Sequence, residues 1–81
     1  MSPRARKPVD TSTYEGRFAV RLRMLREKTG MNVYELAEKS GVSKTTIMSW
    51  ESGTHKPLVS DTFLKLADAL EVEPRTLLPK K

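Results

Sequence analysis

Apolar residues along the chain recur three and four apart, and the breaks between these groups carry glycine, proline or a capping residue. Phe18, Leu22 and Leu25 form an i, i+4, i+7 stripe on a first helix over about residues 14–29, with Ser12 or Thr13 to cap it and Gly30 to stop it. Val20 and Met24 make a second pair off that stripe. Asn32 opens a second helix near Val33. Its side-chain oxygen and Glu35, three residues later, form a capping box, the cap being worth roughly 1 kcal/mol. Leu36 and Ala37 share the inner face of that helix, Tyr34, Glu38 and Lys39 lie elsewhere, and Ser40-Gly41 ends it. After a short turn with Val42 pointing inward, Ser43 caps a third helix, placed over residues 44–52, whose Ile47 and Trp50 share one face. Ser60 or Asp61 starts a fourth helix, to about residue 70, with Phe63, Leu66, Ala67 and Leu70 inward. Glu73-Pro74 opens a short fifth, where the missing proline amide does no harm, and Leu77 and Leu78 either close the core or meet a twin subunit.

This pattern predicts an all-α fold of five helices. Eighty-one residues make one small domain, burying only about 60% of the unfolded chain's surface. Fifteen Lys and Arg against ten Asp and Glu leave a net charge of +5, which favours a polyanionic partner without choosing among DNA, RNA and anionic membrane. The absence of cysteine excludes a disulfide framework, a cysteine nucleophile and a thiolate metal site. His55 is the single histidine, so a histidine metal cluster and a Ser-His-Asp site find no further histidine to draw on. With no acid pair or nucleophile-base set apparent, the reading is of a non-enzyme without cofactor or metal. No apolar run spans a bilayer and no signal-peptide core is present, so the default location is cytoplasmic.

Residues 1–13 hold two prolines, several hydroxyls and Arg4, Arg6 and Lys7, and show no apolar period. They read as a disordered basic arm that either follows a phosphate backbone or enters a minor groove, or else is a solvated tail. The outward face of the third helix carries Lys44, Thr45, Thr46, Met48, Ser49 and Ser52, with no acid before Glu51. Hydroxyls and an ammonium group can donate to phosphates and base-edge acceptors, although an isolated helix with this face would equally be an ordinary polar one.

The order LAEKSGVSKTTIMSWESG, with Arg26 before Gly30, Pro57, the run from Leu64 to Val72 and Leu77-Leu78, resembles the lambda-repressor/Cro family of helix-turn-helix DNA-binding domains, also called xenobiotic-response-element-type regulators. The resemblance covers residues 17–78. It implies a compact five-helix domain over 14–78 with the motif at 33–52, recognition helix 44–52, arm 1–13 and tail 79–81. Two departures stand out: Val33 occupies a position where members commonly carry glutamine, and the segment between Pro57 and Thr62 is one residue longer than usual.

What the resemblance implies residue by residue is base contact from Lys44, Thr45 and Ser49, with Met48 nearby. Asn32, Ser43, Thr46, Thr54, His55 and Lys56 are the expected phosphate contacts, and His55 has a solvated loop side chain as its alternative. Arg26 is expected to pair with Glu51 and, with Trp50, to be structural. A single module of this kind buries roughly 600–1,000 Å² and discriminates poorly, so a homodimer on an approximately palindromic operator is expected, its recognition helices about 34 Å apart. Leu77, Leu78 and the loop before the fourth helix are candidates for the subunit contact. With the chain ending soon after the fold, the simplest function is a small repressor of phage or bacterial type acting by occupancy. Alternatives are a controller-type activator that recruits RNA polymerase, an antitoxin that binds a cognate toxin, and an adaptor of the same fold that no longer reads DNA.

Overall fold

The computed structural model describes residues 9–79; Arg4, Arg6 and Lys7 of the expected arm lie outside the described residues. Five helices follow one another: α1 Tyr14–Lys28, α2 Val33–Ser40, α3 Lys44–Trp50, α4 Asp61–Ala69 and α5 Pro74–Leu77. The starts fall where the capping residues place them. Thr13 Oγ1 accepts from the Gly16 amide, Ser43 Oγ from the Thr46 amide, and Ser60 Oγ from the Phe63 amide. Both hydrogen bonds of the capping box are made, at 2.8 Å from the Glu35 amide to Asn32 and 2.9 Å from the Asn32 amide to Glu35. Each satisfies an amide that the helix itself leaves free.

Phe18 and Leu22 of α1, Leu36 of α2, Ile47 and Trp50 of α3, Phe63, Leu66 and Leu70 at α4, and Leu77 of α5 meet in one core, joined by Val42 from the turn. Helix α2 packs on α3 and α4, α4 on α5, and α5 on α1, so the last helix closes the ring against the first. Leu77 is fully buried, and therefore closes the core and is removed as a subunit-contact candidate; Leu78 is half-buried against the same core. On α1 the inner face is rotated from the expected stripe. Leu25 is only half-buried, whereas Ala19 and the guanidinium of Arg26 are inside.

Three helices end on a residue in the left-handed region. Gly30 and Gly41 follow α1 and α2 at φ 78° and 77°, where a glycine costs least. After α4 the position falls to Glu71, at φ 61°. The Val72 amide donates to the Ala67 carbonyl and the Glu71 amide to the Asp68 carbonyl, both at 3.0 Å, which closes the helix end and forces this conformation on a side chain that disfavours it. The Glu71 carboxylate meets Lys39 Nζ at 3.1 Å, but the pair is exposed and worth little. Glu71→Gly should therefore raise stability by about 0.5–1 kcal/mol, read as a higher urea midpoint at unchanged slope. A lower midpoint would mean that the lost ion pair and the freer unfolded chain outweigh the relief.

Residues 9–13, expected within the disordered arm, are seated on the body. The Asp10 carboxylate accepts from the Ser12 amide at 2.9 Å and from its hydroxyl at 2.6 Å, bonds that hold its pKa below the usual carboxylate value. Thr13 Oγ1 donates to the Asp10 carbonyl at 3.1 Å. That carbonyl occupies the space a β-carbon on Gly16 would need. Val9 lies against Gly53, where an added β-carbon would come within 2.9 Å of its Cγ1.

Candidate nucleic-acid interface

Gly41, Val42 and Ser43 join α2 to α3, and this turn is fixed at both ends. Gly41 takes the left-handed conformation that ends α2, and the Val42 side chain is buried in the core. Ile47 and Trp50 then pin one face of α3, with 0% and 6% exposure, and present the other to solvent. Thr45, Met48 and Ser49 stand exposed on that face, while Lys44 and Thr46 are half-buried. The helix ends at Trp50 with Glu51 as its cap, two residues before the expected boundary at 52. Ser52 remains exposed in the following turn, where its hydroxyl lies 2.9 Å from that of Thr54.

The expected phosphate-contact residues surround this helix. Asn32 and Ser43 sit at the starts of α2 and α3, with their side-chain oxygens spent on capping. Ser43 Oγ also donates to Thr46 Oγ1 at 2.9 Å, tying the two hydroxyls together. Thr54 and Lys56 are exposed in the loop after α3. His55, between them, is neither a free loop side chain nor a fully presented one. Its ring stacks on Trp50 with centroids 4.3 Å apart and planes 10° from parallel. Burial there lowers its pKa from the ordinary histidine value of about 6.5, so the ring is mainly neutral at pH 7 and offers a single N–H donor.

Arg26 and Glu51 form a bidentate ion pair beneath the site. Arg26 Nε and Nη2 donate to the two carboxylate oxygens at 2.6 and 2.9 Å, and Nη1 donates to the Met31 carbonyl at 3.0 Å. The hydrogen bonds to Glu51 hold the guanidinium more firmly charged than a free arginine, against the opposing effect of burial. Arg17 turns to the carbonyls of Thr11 and Ser12, and Arg23 pairs with Glu27 at 3.2 Å.

Sequence reasoning passed over Tyr34. It is 66% exposed near the start of α2, and Lys44 Nζ lies 4.5 Å from its ring centroid and 3.3 Å from its hydroxyl. Its neighbour Val33 is instead half-buried against the core. Asn32, Tyr34, Lys44, Met48 and Ser52 line one cleft between α2 and α3, whose floor is the Arg26–Glu51 pair. The signal available in sequence was an aromatic ring on a polar face, ten residues from the lysine it meets.

A capped helix, a three-residue turn and a second helix held by Ile47 and Trp50 with hydroxyls outward make a helix-turn-helix of lambda-repressor/Cro type. A sequence model of the helix-turn-helix domain matches residues 17–79, and the chain belongs to that family. Among solved structures it is similar to the restriction-modification controller protein C.AhdI from Aeromonas hydrophila, with 33% identity, a TM-score of 0.70, and coverage of 85% of this chain and 100% of that one. No curated protein matches the sequence significantly. The fold and family make the chain a DNA-binding protein of transcription regulation. No helix among the described residues is long and apolar enough to cross a membrane.

Proposed function

We propose that the protein binds an approximately palindromic duplex operator as a homodimer and represses by occupying promoter DNA. The observation that carries this reading is the divided surface of α3: Ile47 and Trp50 fix it to the core, and its opposite face bears Lys44, Thr45, Met48 and Ser49 without an acid. Hydroxyl and ammonium donors suit acceptor atoms on base edges, and the Met48 side chain, 54% exposed, suits a thymine methyl. Asn32, Ser43, Thr46, Thr54, His55 and Lys56 surround that face and are assigned to phosphates, which fix register. Arg4, Arg6 and Lys7 are assigned to the backbone beside the half-site. For the subunit contact, the loop before α4 supports the dimer reading. Leu58 and Val59 are 67% and 63% exposed there, close in sequence to Leu64 on α4 at 43%, an apolar group that a lone small domain gains nothing by showing to water.

The likeness to C.AhdI over that protein's whole length favours a second reading, a controller that activates transcription through the same fold. One experiment addresses both. Selection from a random duplex pool at near-physiological salt should recover a two-fold symmetric motif with half-sites one helical turn apart. Placing that motif at and upstream of a reporter promoter then separates the readings, since loss of transcription supports the repressor and gain supports the controller. A folded sample that enriches no sequence rejects both.

A further inference from the structure

We propose that Tyr34 and Lys44 form a clamp for one backbone phosphate, leaving base reading on α3 to Thr45, Met48 and Ser49; this rests on the operator-binding reading above. Tyr34 comes from α2 and Lys44 from the first turn of α3, so the pair spans the two helices of the motif. The Lys44 ammonium lies over the phenol ring, 4.5 Å from its centroid, where the negative face of the ring attracts a cation. It also donates to the phenol oxygen at 3.3 Å. Because the oxygen accepts in that bond, the phenol proton is left to point at another acceptor, and the ammonium keeps two further protons of its own.

Two donors 3.3 Å apart at the mouth of one cleft can converge on a single phosphate, the lysine supplying charge and the tyrosine a second, directional hydrogen bond. A lysine held against the Tyr34 ring shares the cleft with Met48, but its ammonium is engaged on α2. To read a base edge it would have to leave the ring. Val33 also lines the cleft but offers it no polar group, so Tyr34 is the residue that adds a hydrogen-bonding side chain beside Asn32. The chemistry recognised is a phosphodiester oxygen of duplex DNA, independent of the base it carries.

Lys44→Ala and Tyr34→Phe test this on the full chain, with duplexes recovered by the selection. Lys44→Ala should weaken binding by about the same factor on every duplex, leave the selected motif unchanged, and reduce the slope of log affinity against log salt by about 0.9, the loss of one neutralised phosphate. Tyr34→Phe keeps the ring and its hold on the lysine but removes the donor. It should weaken binding several-fold with both motif and salt slope unchanged. The lysine is half-buried and the tyrosine exposed, both at the surface, so unfolding midpoints near wild type are expected and certify the comparison. A changed base preference in Lys44→Ala overturns the clamp and returns Lys44 to base reading. Wild-type affinity in Tyr34→Phe overturns it equally. Wild-type protein that binds no duplex overturns the operator reading and the clamp with it, whereas either variant result above, obtained on a wild type that selects a motif, overturns the clamp alone.

Discussion

Glu51→Ala should lower the stability of the fold by about 3–5 kcal/mol, although the side chain removed is hydrophilic. Glu51 and Arg26 are 5% and 9% exposed and satisfy each other through two hydrogen bonds, so deleting the carboxylate leaves a guanidinium inside the protein with one carbonyl partner. The loss comes from that stranded charge more than from the ion pair itself, whose formation was opposed by the desolvation of both groups. The double variant Arg26→Met with Glu51→Leu should therefore recover most of what either single change loses. In a domain of this size each kcal/mol moves the unfolding temperature by about 4–8 °C, so Glu51→Ala should melt at least about 12 °C lower. Calorimetry on Glu51→Ala, on the double variant and on its two component single changes checks it. A drop of less than about 1 kcal/mol in the single variant would show that water replaces the missing carboxylate readily. Because the stranded charge destabilises the whole domain, the same change should abolish operator binding near physiological temperature by unfolding, without touching a DNA-facing residue.

Trp50→Ala should cost about 3–5 kcal/mol and is the second large effect. The indole is 6% exposed, tilts against the Phe18 ring at 5.9 Å and forms the floor on which His55 stacks. Removing it opens a void between α1 and α3 and frees the loop that carries Thr54, His55 and Lys56. The neighbouring Ser49→Ala provides the contrast, because Ser49 is exposed and its loss should change stability by no more than about 0.5 kcal/mol. Urea unfolding of the two variants, followed by operator binding at a temperature where both remain folded, separates the roles. Equal midpoints for Trp50→Ala and wild type would show that the core closes over the gap.

These two effects rest on parts of the molecule that the sequence made legible in different ways. Ile47 and Trp50 sit three apart on a helix announced by Ser43, and the caps at Asn32 and Ser60 are as local; a period and a capping residue are read within a few positions. The Arg26 to Glu51 pairing, 25 residues apart, has no local signal and came through resemblance to a family. What escaped was contact between elements without such help. The Lys44 ammonium finds Tyr34 across the turn, and His55 finds the indole instead of solvent. Glu71 is driven into the left-handed region by the hydrogen bonds that end α4, in a place where neighbouring helices use glycine. The end of α3 at Trp50 was missed, and Leu77 was left open between core and subunit contact, for a related reason: boundaries and the choice between core and surface are settled by packing, which periodicity does not record.

Gly16 carries information of another kind. It lies inside α1, where glycine is less favourable than alanine by roughly 0.5–1 kcal/mol, and its place is explained by the Asp10 carbonyl that fills the β-carbon's position. Gly53, far along the chain, is crowded by Val9 from the same passing segment. The two positions are thus tied to one strand of chain that neither belongs to. Across related sequences this becomes a rule of inheritance: a lineage that loses the segment is released from the glycine at position 16, while Gly53, at φ 91°, remains favoured by its own backbone, and a side chain at the Gly16 position marks a descendant whose chain approaches the recognition helix by a different route.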